Sequence, residues 1–205
     1  RRAGGHRAPP RLRERGSFIM DLNRLTEKAQ GALQEAQNLA IKSSHTEVDI
    51  EHLLLALLEQ SDGLIPRLFE KMDVPEASVK SHIQKEVGKK PKVSGSIESG
   101  KIYLTNRLSQ VLVKAEEEAK RLKDEYVSVE HLFLAILDTE TSSAIGKIFK
   151  QFNITHDRFL SAMTSVRGGQ RVQSSNPEAT YEALEKYGRD LVQASKTGKL
   201  DPVIG

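Results

Sequence analysis

Two stretches of the chain place apolar residues on a single helix face. Ala29, Ala32, Leu33, Ala36, Leu39 and Ala40 recur at i, i+3, i+4 and i+7, and so do Leu108, Val111, Leu112, Ala115, Ala119 and Leu122. Each stretch follows a threonine, Thr26 or Thr105, whose hydroxyl is placed to cap the first turn. Next come two short segments, about 50–59 and 129–137, that are apolar on every side. Helices of that kind sit at the centre of a fold rather than on its surface. Asp49 and Ser128 precede them as N-caps, and Glu51 and Glu130 fall in their first turns, where the helix dipole favours an anion. Further helical patterns lie near 64–72 and 77–87, and near 144–152 and 155–166. No stretch sustains a period of two, so no sheet is expected.

The two halves are copies of one unit. At an offset of 79 residues, Val48 to Leu58 aligns without gaps on Val127 to Leu137, with seven of eleven positions identical. The same offset pairs Leu25-Thr26 with Leu104-Thr105, Leu33 with Leu112, and Ala36 with Ala115. One extra residue then brings Leu68-Phe69 onto Ile148-Phe149. The repeats run about 22–87 and 101–166, joined by a loop at 88–100 that holds Pro91 and three glycines. Four short helices rarely bury enough apolar surface alone, whereas a pair of such units shares one core. The expected fold is therefore all-α: two tandem four-helix repeats packed as a pseudo-twofold eight-helix domain over 20–166, followed by a linker and one further helix.

The ends differ in composition from this body. Residues 167–177, RGGQRVQSSNP, have no apolar face and read as a flexible, extended linker with nothing to bury. Helical spacing resumes from residue 178 through Tyr181, Leu184, Tyr187 and Leu191, and 178–205 reads as the truncated start of another module. Residues 1–19 hold six arginines and one acid, a net of +5, and Met20 reads as the natural start after a non-native or disordered leader. A mitochondrial-type targeting segment is the competing reading of 1–19, but Pro9-Pro10 and the lack of an amphipathic face count against it. The chain as a whole carries +3, so without the leader it is mildly acidic, at −2.

That charge balance works against nucleic acid as a partner, and Lys89-Lys90-Pro91-Lys92 reads as a solvated loop. Aromatics make up only 5% of the chain and tryptophan is absent, which disfavours a stacking platform for single strands. No run of about 18 apolar residues exists to cross a membrane. Without cysteine there is no thiol nucleophile and no thiolate metal site. Gly95 to Lys101 has the spacing of a phosphate-binding loop, but Ile102 stands where a hydroxyl should hold magnesium, and no buried strand precedes it. His52 and His131 each follow a glutamate, yet adjacent helical side chains diverge by about 100° and do not converge on one ion. No catalytic residue, metal ligand or complete cofactor site is expected. Glu51 and Glu130 recur at equivalent places, which fits helix-start electrostatics. It also fits recognition of a cationic or polar peptide group beside the capping threonine of the other copy.

Taken together, the duplicated Leu-Thr helix, the twin Glu-His-Leu helices, the Gly168-Gly169-Gln170-Arg171-Val172 linker and the Glu185 to Leu191 run leading to Asp201-Pro202-Val203-Ile204-Gly205 resemble the Clp family of AAA+ unfoldases, and within it the disaggregase branch. The resemblance implies a cytoplasmic, substrate-binding accessory domain. It would be tethered to a hexameric motor that uses ATP and Mg to thread unfolded or aggregated polypeptides with a DnaK-type chaperone. It also implies that Val203 and Ile204 contact adenine in the full-length protein, and that the fragment itself is monomeric and does not hydrolyse ATP. The family's substrate-contacting set falls on Thr26, Leu112, Asp124 and Glu130, with Glu51 and Thr105 as secondary candidates, in a groove where the second long helix meets the start of the first. Leu112 also fits the core, like its twin Leu33, and Asp124 fits a solvent-exposed helix end. The alternative within the family is an adaptor-docking or modified-arginine-binding domain of a protease-linked unfoldase, acting through Glu51 and Glu130.

Overall fold

The computed structural model describes residues 11–13, 19–60, 63–95, 97 and 102–178. Eight helices lie among them in the expected order: α1 (Glu27–Lys42), α2 (Ile50–Glu59), α3 (Leu64–Lys71) and α4 (Glu76–Gly88), then α5 (Asn106–Arg121), α6 (Val129–Thr139), α7 (Ala144–Gln151) and α8 (His156–Arg167). Thr26 and Thr105 start the long helices as capping logic requires, their hydroxyls accepting from Ala29 N–H at 3.2 Å and Leu108 N–H at 3.1 Å.

α2 and α6 form the centre. Every residue of Ile50 to Leu58 and of Val129 to Leu137 is buried, which is why both helices are apolar all round. Phe133 on α6 stacks on Phe159 of α8 at 4.5 Å between ring centroids and meets Phe69 of α3 edge-on at 5.6 Å. Because Phe69 belongs to the first repeat and Phe133 to the second, one core serves both. The helical part of the family's expected architecture is thus present, and no helix among the described residues is long and apolar enough to cross a membrane.

The expectation of no sheet is corrected at a small scale. β1 (Arg11–Arg13) pairs antiparallel with β2 (Ile19–Asp21), so the leader expected to lack structure contributes a strand. β3 (Glu47–Val48) pairs parallel with β4 (Tyr103–Leu104), across the repeats. Its symmetry mate is the parallel bridge between Leu25 and Val127, both displaced by the same 79 residues. Two-residue pairs are too short to leave a period of two in the sequence. They bind the front of each long helix to the entry of the other repeat's central helix, Thr26 N–H donating to Val127 O and Thr105 N–H to Val48 O.

The duplication reaches the backbone dihedrals. Ser44 and Lys123, then Asp73 and Asn153, are the described non-glycine residues with positive φ, at 61°, 58°, 55° and 53°, and they occupy equivalent turns after α1, α5, α3 and α7.

Candidate functional site

The two cross-repeat bridges carry two equivalent polar clusters, built from corresponding residues but completed differently. In the first, Thr105 caps α5 and donates its hydroxyl to Asp49 at 2.8 Å. Arg107 reaches Asp49 at 3.1 Å, Glu51 at 3.3 Å and Glu140 at 2.9 Å, while Lys90 lies 2.8 Å from Asp49 and 3.0 Å from Glu51. Burial opposes ionisation of Asp49, but the Lys90 ammonium and the donated hydrogen bonds outweigh it and hold this carboxyl below its ordinary value. Lys90, expected in a solvated loop, is instead a half-buried ion-pair partner.

In the second cluster the position of Asp49 is held by Ser128, which brings no charge. Thr26 donates instead to Glu178, 152 residues away, at 2.8 Å. Asp124 accepts from Arg167 at 2.6 Å and from Val172 N–H at 2.9 Å, and its other oxygen lies 2.7 Å from His131 Nε2. Arg167 also stands 3.5 Å from Glu130. Burial alone would raise the Asp124 pKa, but the His131 and Arg167 bonds bring it down to about 2. Glu178 moves the other way, up to about 7, first through burial and then through the nearby Glu130 carboxylate.

Both histidines complete capping boxes. Asp49 N–H donates to His52 Nδ1 and Ser128 N–H to His131 Nδ1, so each Nε2 carries the proton and points inward, to His45 at 2.9 Å or to Asp124. Burial, then the neighbouring His45, pushes His52 down to about 4. A further group of donor atoms, from Glu118, Asp138 and His156, lies within 4.8 Å, but the buried Glu118 carboxylate already has Arg121 and Lys114 as cation partners.

Of the residues expected to contact a substrate, the structure brings Thr26, Asp124 and Glu130 together and leaves Leu112 apart. Leu112 is fully buried with its twin Leu33 in the common core. Glu130 is not a surface carboxylate and Asp124 is not a solvent-exposed helix end: both are buried beneath residues 167–178. Those residues are also the second correction, because the stretch expected to have nothing to bury is laid across the seam. Val172 is 0% exposed, its N–H bound to Asp124 and its carbonyl accepting from Glu125 N–H at 2.8 Å. Ser175 O accepts from Glu27 N–H at 2.7 Å, and a helical turn opens at Pro177. The Thr26/Thr105 equivalence already carried a clue, since Thr105 has an acid at Asp49 and Thr26 faces only Ser128. Missing carboxylate and guanidinium partners had to come from elsewhere in the chain. Val203, Ile204, the expected helix beyond 178 and most of the loop from Gly95 to Lys101 lie outside the described residues.

Residues 24–152 match the model of the Clp repeat (R) N-terminal domain, and the chain belongs to that family. Over 187 residues it is 53% identical to the chaperone protein ClpB of Bacillus anthracis and 50% identical to that of Nitratidesulfovibrio vulgaris, in each case across 91% of this chain. The chain spans about a fifth of the length of these relatives, 21% and 22%. Among solved structures, the Hsp104 N-terminal domain from Candida albicans superposes with a TM-score of 0.66 at 23% identity, covering 75% of this chain and 98% of that one. A ClpV N-domain solved in complex with a VipB peptide superposes at 0.55 and 17% identity, covering 70% and 86%. At these identities the structures establish the fold.

Proposed function

We propose that this chain is the polypeptide-binding accessory domain of an ATP-driven Clp chaperone of the disaggregase type, and that it engages an extended segment at the seam where α1 begins and α5 turns toward α6. The observation that carries the reading is the seam's main-chain chemistry: Glu27 N–H and Glu125 N–H both point outward to peptide carbonyls, and Asp124 accepts a peptide N–H. Main-chain hydrogen bonds of this kind hold an extended chain with little regard for its sequence, which suits a binder of unfolded polypeptides. The ClpB names of the relatives, and the peptide bound to a ClpV N-domain of the same fold, support it. In the longer protein the domain would serve a hexameric motor using ATP and Mg, supplied with aggregated polypeptide in cooperation with a DnaK-type chaperone in the cytoplasm. Catalysis would lie in that motor and none in this domain.

The alternative, adaptor docking or capture of a modified arginine at Glu51 and Glu130, has one observation behind it, since both clusters do hold guanidinium groups, those of Arg107 and Arg167. Such a ligand must displace groups the chain itself supplies. Fluorescence anisotropy with a labelled, permanently unfolded model protein tests the favoured reading. Binding that weakens at least several-fold in Thr26→Ala and Asp124→Ala, both remaining folded and both compared with residues 168–178 displaced by Gly168→Val, is the expected result. Unchanged binding in both moves the site elsewhere, and selective capture of peptides with a modified N-terminal arginine favours the alternative.

A further inference from the structure

The seam is already occupied. After α8, Gly168 adopts φ 60° and ψ −132°, a backbone conformation that side-chain-bearing residues avoid, and turns the chain back across the domain. From there 170–178 run over the second cluster. Arg167 binds Asp124, Val172 is buried, the carbonyls of Val172 and Ser175 take the two outward N–H groups, and Glu178 takes Thr26. Val172 is buried outside the main core cluster, so its shelter is the seam itself. A cleft of about 300 Å³ lies beside the segment, between Leu122, Leu160 and Met163 and the turn at 168–171.

We propose that residues 168–178 are an intrachain occupant of the polypeptide-binding seam, using the same main-chain and carboxylate partners as a client, so that a client binds only when this segment leaves. The inference rests on the seam being the client site. Its physical basis is mutual exclusion: each of the two outward N–H groups offers one proton, and both are spent on residues 172 and 175. The docked segment is also imperfect. It brings the Glu178 carboxylate into burial beside Glu130, two like charges in a dry site, which weakens docking. It brings a buried carboxylate to Thr26 where the other cluster has Asp49 on Thr105, a role that Ser128, without a charge, does not fill. An occupant that is complementary in its main chain and strained in its charge is displaced more easily than one optimised throughout.

The seam's preference follows from the occupant. A client segment should present a branched apolar side chain where Val172 sits, two carbonyls in the register of Val172 and Ser175, and no acid opposite Glu130.

The test uses the whole chain with the labelled unfolded model protein as probe. Val172→Asp alters the occupant and Gly168→Val alters only the turn that delivers it, so neither touches the seam. If the segment is docked roughly nine-tenths of the time, each variant binds the probe about tenfold more tightly than the parent. In the parent, amide exchange at Val172 and Glu125 is protected, and saturating probe exposes Val172 while keeping Glu125 protected. Tail variants that bind like the parent, while Thr26→Ala and Asp124→Ala still weaken binding, overturn this inference and leave the client site standing. Tail variants that bind more weakly also overturn it, because the segment is then part of the client's surface. If seam and tail variants alike leave binding unchanged, both the client site and its intrachain occupant are refuted.

Discussion

The two polar clusters began as the same site, and their present difference shows what duplication allows. Around Thr105 the repeats and the loop between them supply the partners: Asp49 receives the threonine hydroxyl, Arg107 pairs with Asp49, Glu51 and Glu140, and Lys90 with Asp49 and Glu51. Around Thr26 the place of Asp49 is taken by Ser128, and that of Arg107 by Lys28. The acceptor, Glu178, comes from the segment after the second repeat, and the cation, Arg167, from the last turn of α8. The first cluster is completed by residues of the repeats and the loop that joins them, the second in part by residues 172–178, which follow the second repeat. The proposed binding seam therefore coincides with the half that a later segment of the chain completes.

The largest expected effect separates core from seam. Leu112→Asp places a charge where no surface is exposed and should abolish the folded state, at a cost above about 4 kcal/mol. Thr26→Ala removes a cap and should cost about 1 kcal/mol while the domain stays folded. Circular dichroism melts of the two variants decide the matter, and a folded Leu112→Asp would return that side chain to the groove.

Next in size is pH, where the clusters should respond with opposite sign. His52, facing His45, Asp49 and Lys90, has its folded pKa lowered from 6.5 to about 4, burial being the largest cause. The unfolded chain binds the proton more readily, so stability present above pH 6.5 is lost as pH falls toward 4, by up to about 3 kcal/mol. Glu178, facing Glu130 and accepting from Thr26, has its pKa raised from 4.5 to about 7 when docked, first through burial. The docked segment binds the proton more readily, so docking strengthens as pH falls from 7 to 4.5. Melts should thus show the body weakening across that interval, while the Val172 amide gains protection relative to its intrinsic exchange rate. Loss of Val172 protection on acidification would contradict the second half.

Smaller again is the contrast between the two guanidinium groups. Arg107→Ala leaves Asp49, Glu51 and Glu140 with Lys90 as the remaining cation, and the half-exposed arginine limits the loss to about 2 kcal/mol, or several degrees in Tm. Arg167→Ala should lower Tm less and raise exchange at Val172 more, since the segment can swing out and let water reach Asp124 and Glu130. Equal losses of Tm without a change at Val172 would make the two clusters alike.

The eight helices, the caps at Thr26, Thr105, Asp49 and Ser128, and the shared core were legible because each leaves a local signature: apolar periodicity, a hydroxyl or carboxylate before it, and an internal repeat. The cross-repeat strands were not, since two residues hold no period. The tail was misread because a single Val172 among glycines, serines and glutamine has no apolar face, and its burial depends on a surface more than 40 residues away in sequence. Of the set drawn from family likeness, Thr26, Asp124 and Glu130 lie together while Leu112 is in the core, and the burial of the three depends on that same tail. The histidines' capping role was available locally, as the third residue of each central helix, but from sequence they were considered only as ligands or catalysts, and both roles were set aside.

The smallest effect tests whether the halves remain equivalent where no function separates them. Ser44 and Lys123 hold the left-handed turn after α1 and α5, where a side chain costs about 1 kcal/mol and glycine does not. Ser44→Gly and Lys123→Gly should each stabilise the domain by roughly 0.5 kcal/mol, the gain being reduced by glycine's greater freedom in the unfolded chain. The turn at Ser44 leads into the closed cluster, its carbonyl accepting from Val93 N–H at 2.9 Å, whereas Lys123 immediately precedes Asp124. If both substitutions raise Tm alike and only Lys123→Gly changes probe binding, the scaffold is symmetric and the asymmetry belongs to the seam. Unequal stabilisation would show that the tail already strains the turn it covers.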